Sequence, residues 1–401
     1  MTTGGWDSLP TMACRSCGSE VPAGTYCGLC GAAERSTRWG GPARWRFGAY
    51  AAAPNEHVLL PALTTSIFPH APRRSRWAFR AALLVLLVLL VAFALLRWQP
   101  PLIGLSAIGL PLLFVLHLRE TDAFRDQSVL TLGATAVSSL GLGVGWSMTT
   151  DAIWKQTYDD VLGTPMTAGD RLINLLAIPV VSVLLLLVPV VLIRLLRPGP
   201  REALDGFVIG ALAALCFTAA GVLTRAAPEF ANGLVAEDFP TNAILTLAVV
   251  RGVAAPVTAA AVGGMVGATL WFRRRTDIPV GHWYSLTSPV PAVAIGALAY
   301  VAQNRIDYAW ISYAQIVGLY AVITALALVA LRIVLHQTLL LETPDEPNPT
   351  EPVLCPQCEH VVPDVTFCAN CGVAAHAASR TSRANRRGHR PVPVTAASDG
   401  R

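Results

Sequence analysis

From Ala78 to Leu341 the chain is a succession of apolar stretches, each near the roughly 20 residues that a helix needs to cross about 30 Å of hydrocarbon. The densest is Ala81 to Val91, which reads Ala-Ala-Leu-Leu-Val-Leu-Leu-Val-Leu-Leu-Val. Spans are expected at Ala78–Trp98, Pro101–Leu118, Ser128–Met148, Leu172–Leu196 and Leu204–Leu223. Three more follow: one within Ile244–Phe272, a short one at Val290–Ala302, and Ile311–Leu335. Ile244–Phe272 is longer than one crossing needs and carries Arg251 and Pro256 near its start, so its first turns are expected to kink or lie at the interface. Over the 401 residues 53% are hydrophobic and 14% charged, against roughly 25% charged in an average soluble domain. An ordinary globular protein is thereby excluded, and the fold class expected is an all-α transmembrane bundle of about eight spans. The first 30 residues hold Pro, Gly and four Cys with no continuous apolar core, so no cleaved export signal is expected there.

Lys and Arg accumulate in short cytoplasmic loops, which gives the bundle a direction. With the N-terminus inside, the inner segments carry 13 cations: Arg73, Arg74, Arg76, Arg80, Arg119, Arg125, Arg194, Arg197, Arg201, Arg273, Arg274, Arg275 and Arg332. The outer segments carry Arg97, Lys155, Arg171, Arg225 and Arg305, with Arg251 as an outer anchor, and the acidic Asp151, Asp159, Asp160 and Asp170. An even number of spans returns the C-terminus to the cytoplasm, so a plasma-membrane protein with both termini cytoplasmic is expected. The net charge of +5, with 29 of 30 cations being Arg, gives no sign of a nucleic-acid surface.

Eight of the nine cysteines form two groups of identical spacing, C-x2-C-x9-C-x2-C: Cys14, Cys17, Cys27, Cys30 and Cys355, Cys358, Cys368, Cys371. An offset of 341 also superposes Val21 on Val362, Pro22 on Pro363, Thr25 on Thr366, Tyr26 on Phe367 and Gly31 on Gly372, so the groups are copies of one module. Each C-x2-C pair forms a knuckle that aims two sulfurs at one ion, and four thiolates make the closed tetrahedral shell of structural zinc. Gly18, Gly28, Gly31 and Gly372 beside the cysteines suit the knuckle turns. A unit of about 20 residues cannot bury a core, whereas structural zinc supplies on the order of 10–16 kcal/mol. Disulfides fit the even count but not a reducing cytoplasm, and iron–sulfur clusters use other spacings. Two structural zinc ions are expected, and His360 and His376 are expected to face solvent.

Both units resemble the short zinc-ribbon modules at the ends of many bacterial membrane proteins, through Cys-Arg-Ser-Cys-Gly and Cys-Gly-Leu-Cys-Gly in the first copy. That resemblance implies small docking or folding units. The domain order expected is a ribbon (1–35), a juxtamembrane linker (36–76), the membrane domain (77–336), a Pro-rich acidic linker (337–353), a second ribbon (354–374) and a basic disordered tail (375–401).

Ionisable residues in a membrane core are costly and mark candidate sites. His117, Glu120 and Asp122 at the end of the second span, Arg194 and Asp205 around the fourth and fifth, and His336 in the eighth could meet near the cytoplasmic face as a mixed His and carboxylate metal site. Helix-end capping and snorkelling are the alternative reading. No H-E-x-x-H, G-x-S-x-G or phosphate-cradling loop occurs. Cys216 reads as a small packed residue. Arg201 to Ala220, with Asp205-Gly206, Gly210 and Phe217, resembles the PrsW-type glutamic intramembrane proteases, as does the charged stretch Leu116 to Asp126. The resemblance implies a membrane core over roughly residues 80–335. The Glu-Glu pair, the Glu-Asn and the late His residues of that family have no counterparts here, so it implies a relative without catalytic residues.

Gly206 and Gly210, Gly141 and Gly145, and Gly263 and Gly267 are i, i+4 pairs of the kind that let helices approach closely. Trp39, Arg44, Trp45, Arg46, Phe47 and Tyr50 before the first span form either a flexible linker or an arm on an anionic leaflet. The expected function is a non-enzymatic scaffold, sensor or docking protein, its partners being the lipid bilayer and a protein bound through the ribbons. A divergent intramembrane protease is the second reading. A transporter ranks third, because no midplane charge or paired broken helices occur.

Overall fold

The computed structural model describes residues 10–15, 17–34, 50–54, 56–69, 73–121, 123–159, 169, 172–196, 202–231, 234–235, 239–273, 288–307, 311–342 and 351–390. Most of the arm at 35–49, the acidic spacer at 343–350, Asp122 and the tail beyond 390 lie outside them.

Among the described residues, eight long helices make the bundle: α1 (Arg73–Leu95), α2 (Gln99–Glu120), α3 (Val129–Asp159), α4 (Ile173–Leu196), α5 (Ala203–Arg225), α6 (Thr241–Trp271), α7 (Pro289–Asp307) and α8 (Tyr313–Leu341). Seven of them are long and apolar enough to cross a membrane. The eighth, α7, contains only a shorter apolar stretch, Pro289–Gln303. Its 19 residues still rise about 28 Å, and Asn304, Arg305 and Asp307 cut its apolar length.

Contacts between helices trace the path of the chain. Arg97, in the turn between α1 and α2, donates to the Phe239 carbonyl just before α6, and Trp98 pairs with Val235, so these segments share one end of the bundle. Arg194 near the end of α4 donates to the Leu270 carbonyl near the end of α6, which marks the opposite end. Gly296 of α7 lies against Val262 at mid-height, and Ile306 packs with Val250 and Tyr320. Thus α7 packs along α6 from Val262 to Val250 despite its short apolar stretch.

α3 extends eleven residues beyond the Met148 expected from hydropathy, taking Asp151 and Lys155 into the helix as an i, i+4 ion pair at 2.8 Å. Two helices contain a wide π-helical turn: Ile173–Ala177, which opens α4, and Val250–Ala254, which follows the Thr241–Val249 stretch of α6. Each turn ends two residues before a proline, Pro179 and Pro256. Proline lacks an N–H and crowds the carbonyl four residues back, and a widened turn relieves both faults without breaking the helix. The kink expected near Arg251 is this π turn, and Arg251 is exposed on it.

The centre of the bundle is the crossing of α5 and α6, where nearly every side chain of α5 and of the Ala255–Trp271 part of α6 is buried. Gly206 lies against the Gly267 carbonyl and Gly210 against the Gly263 carbonyl, so a Cβ at any of the four would fall inside backbone atoms of the other helix. Polar pairs add to the packing: Trp146 Nε1 donates to Ser182 Oγ at 2.7 Å between α3 and α4, and Thr258 meets Thr324 at 3.1 Å between α6 and α8. Gly141 and Gly145 do not act as a contact pair, because nothing lies within 4 Å of either missing Cβ. The close approach of α3 to α5 is made instead by Gly143, against the Phe217 carbonyl and Ala220.

Candidate metal centres and their seat on the bundle

Each cysteine unit is built on a two-stranded antiparallel hairpin. In the first, β1 (Thr11–Ala13) pairs with β2 (Glu20–Pro22), Met12 opposite Val21. In the second, β3 (Pro352–Leu354) pairs with β4 (Val361–Pro363), Val353 opposite Val362. The first knuckle of each unit is the hairpin turn, and the second follows the hairpin. A left-handed residue follows every knuckle: Gly18 (φ 74°), Gly31 (φ 71°), Gly372 (φ 75°) and, in the fourth place, Glu359 (φ 58°). Gly28 has another role, since its missing Cβ faces Val365 at 3.0 Å and makes room for the other unit.

The four sulfurs of each unit lie within 4.8 Å of one another. Cys14 to Cys30 is 3.7 Å, Cys17 to Cys27 is 3.9 Å, and Cys355–Cys371 and Cys358–Cys368 are both 3.8 Å. A tetrahedron with metal–sulfur bonds of about 2.3 Å has edges of about 3.8 Å. The cysteines are all free thiols, and their separations far exceed the roughly 2.05 Å of a disulfide. Backbone N–H groups point at the sulfurs: Cys17 N to Cys14, and Leu29 N and Cys30 N to Cys27, each at 3.4 Å. A hydrogen bond from the Cys30 thiol, helped by the Leu29 and Cys30 N–H groups, lowers the Cys27 thiol against the opposing effect of burial, while the same contact raises Cys30, so one member of the pair is favoured as thiolate. Donor set, spacing and charge all fit one tetrahedral ion per unit. His360 is exposed, with Nδ1 2.7 Å from the Cys358 carbonyl, and the His376 side chain lies outside the described residues.

The two units bind each other reciprocally. Tyr26 N donates to the Ala369 carbonyl at 3.0 Å, and Phe367 N donates to the Gly28 carbonyl at 2.8 Å. The offset of 341 maps Tyr26 on Phe367 and Gly28 on Ala369, so these bonds are the two halves of a pseudo-twofold pair. The rings follow the same symmetry: Tyr26 covers Gly372, and Phe367 covers Gly31, with the missing Cβ atoms 2.7 and 2.8 Å from ring carbons. Both glycines serve a left-handed turn and a ring contact at once.

The pair rests on the bundle through a segment that the sequence reading leaves as linker. Tyr50 to Ala53, Val58, Ile67 and Phe68 are buried in the main core. Ala51 joins three parts: its N–H donates to His336 Nδ1 on α8 at 3.1 Å, and its carbonyl accepts from Ala374 N of the second unit at 2.7 Å. Arg332 of α8, counted from sequence as an inner-face cation, is fully buried. It donates to Glu56 Oε2 at 3.0 Å, Thr65 Oγ1 at 2.9 Å and the His57 carbonyl at 3.2 Å, and it lies 4.1 Å from the Tyr50 ring centroid. The signal for this seat is one Arg inside an apolar helix, matched by Glu56 and Tyr50 upstream.

The segment Arg380–Gly388, expected within a disordered tail, is a helix, α9. It is ordered by pairing with carboxylates, which composition alone does not reveal. Asp126 accepts from Arg380 N, Thr381 N and Thr381 Oγ1, capping the new helix from outside. Arg380 pairs with Asp205 at 2.7 Å, Arg383 with Glu202, Arg387 with Asp364 at 2.9 Å, and Arg390 with Glu351. Glu202 and Asp205 stand in the first turn of α5, where its N–H groups and dipole favour anions. Glu342 completes that end by accepting from Ala203 N at 2.6 Å.

Burial pushes the Glu342 carboxyl up to about 8, aided by the nearby Glu202 and Asp205. The folded protein then holds more protons than the unfolded chain between about pH 4.5 and 8, so stability falls as pH rises through that window. Glu342→Gln keeps the acceptor for Ala203 and removes the charge. It is expected to leave thermal stability unchanged near pH 5 and to raise it at pH 8, on the order of 1 kcal/mol or more. Melting curves of both proteins at the two pH values check this.

Among the described residues, which leave out Asp122, the mixed His and carboxylate site considered from sequence does not assemble. His117 is enclosed by the rings of Phe68, Phe79 and Phe114 at 5.2, 5.5 and 5.9 Å, His336 is bound to Ala51, and Asp205 is bound to Arg380. Among the described residues the two cysteine units are the only groups of three or more His, Cys, Asp or Glu placed to hold an ion. No family model, curated protein or solved structure matches this chain. The likeness to PrsW-type proteases therefore rests on its short motif, whose Gly206 and Gly210 pack against α6.

Proposed function

We propose that the chain is a multi-pass plasma-membrane protein, with both termini cytoplasmic, whose two structural zinc ribbons pair into one head that serves as a non-enzymatic scaffold or docking surface. The observation that carries this reading is the reciprocal pairing of Tyr26 with Ala369 and of Phe367 with Gly28. A closed four-thiolate shell leaves no coordination position for substrate, so the metal's work is to fold the units. Each ion would be held by the four cysteines of one ribbon, and the paired ribbons would offer a partner one surface in place of two. The seat on Arg332 and Ala51 gives that surface a defined position over the helix ends, as a scaffold or a sensor of bundle shape requires. With α7 taken as a crossing beside the seven longer apolar helices, both ends of the chain would lie on one side of the bilayer, and the bias of 13 inner cations supports the cytoplasmic side.

Elemental analysis of the purified full-length protein tests the metal content. About two zinc per chain are expected, falling to about one in Cys14→Ser and in Cys355→Ser. Iron in place of zinc, or no bound metal, would overturn the assignment. An impermeant label that reached either terminus from outside intact cells would overturn the topology.

A further inference from the structure

We propose that Asp126, Glu202 and Asp205 form a receptor for an arginine-bearing helix, that α9 fills it in cis, and that metal in the C-terminal ribbon holds α9 there. This inference rests on the ribbons being metal-bound, as proposed above.

α9 joins two bodies. Toward the bundle, Arg380 and Arg383 reach Asp205 and Glu202, while Asp126 caps its N-terminus. Toward the ribbon, Arg387 of α9 and Arg390 just beyond it reach Asp364 and Glu351, and Arg386 donates to the Ala375 carbonyl at 2.9 Å. Asp364 follows β4 directly, Glu351 directly precedes β3, and Ala375 N donates to the Thr366 carbonyl. Every ribbon partner of α9 is thus set by the hairpin that the four cysteines fold. Residues 375–390 contain five arginines and no acid, and a nine-residue helix of this composition does not persist in water without tertiary partners. Loss of the metal dissolves the ribbon, removes three of the five arginine partners and leaves only the Arg380–Asp205 and Arg383–Glu202 pairs and the Asp126 cap to hold the helix. The helix then releases, and the carboxylates at the start of α5 lose their counterions.

The contact is a receptor rather than a cluster of surface ion pairs because its parts are buried and specific. The Arg383 side chain is 4% exposed and Asp205 10%, Glu202 takes both terminal nitrogens of Arg383, and Asp126 accepts three bonds in the geometry of a helix cap. The chemistry selects a helix with arginines three residues apart, the spacing of Arg380 and Arg383.

Limited trypsin digestion of the full-length protein in lipid nanodiscs, read by mass spectrometry, tests the proposal, with zinc content measured on the same samples. In the metal-replete protein, cleavage after Arg380, Arg383, Arg386 and Arg387 is expected to be slow. Removal of zinc by a high-affinity chelator should speed it about tenfold or more. Glu202→Gln with Asp205→Asn should do the same while two zinc remain bound. Arg380→Gln with Arg383→Gln, which leaves α5 intact, should speed cleavage after Arg386 and Arg387. Slow cleavage after measured zinc loss, or carboxylate and arginine variants as resistant as wild type with both ions bound, would overturn the inference. Absence of zinc from the untreated protein would instead overturn the reading of the ribbons.

Discussion

Gly210→Val is expected to prevent the bundle from closing. The added side chain would enter the space held by the Gly263 carbonyl and the Gly264 nitrogen, and neither backbone can move without separating α5 from α6. Overpacking in a core typically costs about 1–3 kcal/mol when side chains can yield. Here only backbone faces the substitution, so the cost is expected above that range, with loss of folded protein in detergent and a melting temperature too low to fit. Gly263→Val should behave alike. Gly141→Val and Gly145→Val carry the same i, i+4 signature and should melt within a few degrees of wild type, because open space surrounds both positions. Thermal unfolding of the four variants separates a glycine pair that is a contact from one that is not. Equal loss in all four would refute the assigned crossing.

Arg332→Met is expected to be nearly as damaging, for an electrostatic reason. The guanidinium is fully buried and is the shared partner of Glu56, Thr65 and the His57 carbonyl, with Tyr50 over its face. Removing one member of a buried pair leaves the other charge uncompensated, at a cost of about 3–5 kcal/mol. Arg332→Lys keeps the charge but cannot serve these acceptors with a planar fork, so it should recover only part of the loss. Glu56→Gln in the Arg332→Met background should restore stability relative to the single variant, since it removes the stranded carboxylate. The readout is the double-mutant cycle in melting temperature. A cycle that sums to zero would mean that the two side chains do not share their environment as described.

How much of this was legible beforehand differs by element, for physical reasons. Helices and cysteine units were readable because each rests on a short-range pattern: about 20 apolar residues in one case, paired C-x2-C spacings in the other. α7 was readable only as a weak stretch, because Asn304, Arg305 and Asp307 lower its hydropathy while packing against α6 and α8 places it. Gly206, Gly210, Gly263 and Gly267 were recognisable as small pairs, yet nothing in spacing alone distinguished them from Gly141 and Gly145. Partner choice is a long-range property. The same holds for Arg332, which topology counting placed among the inner-face cations, and for α9, whose composition reads as disorder until Asp126, Glu202 and Asp205 are brought within reach. The likeness to intramembrane proteases drew on Asp205-Gly206 and Gly210, residues that serve a salt bridge and a helix crossing here.

The pairing of Tyr26 with Ala369 and Phe367 with Gly28 also bears on biogenesis. The first ribbon leaves the ribosome hundreds of residues before its mate, so throughout synthesis it waits with its Tyr26 face uncovered, and only a finished polypeptide can cover it. On the topology proposed above, a molecule that failed to insert any one helix would leave its second ribbon on the side of the bilayer away from the first. The ribbons could not then pair, and the Tyr26 face of the first would stay uncovered.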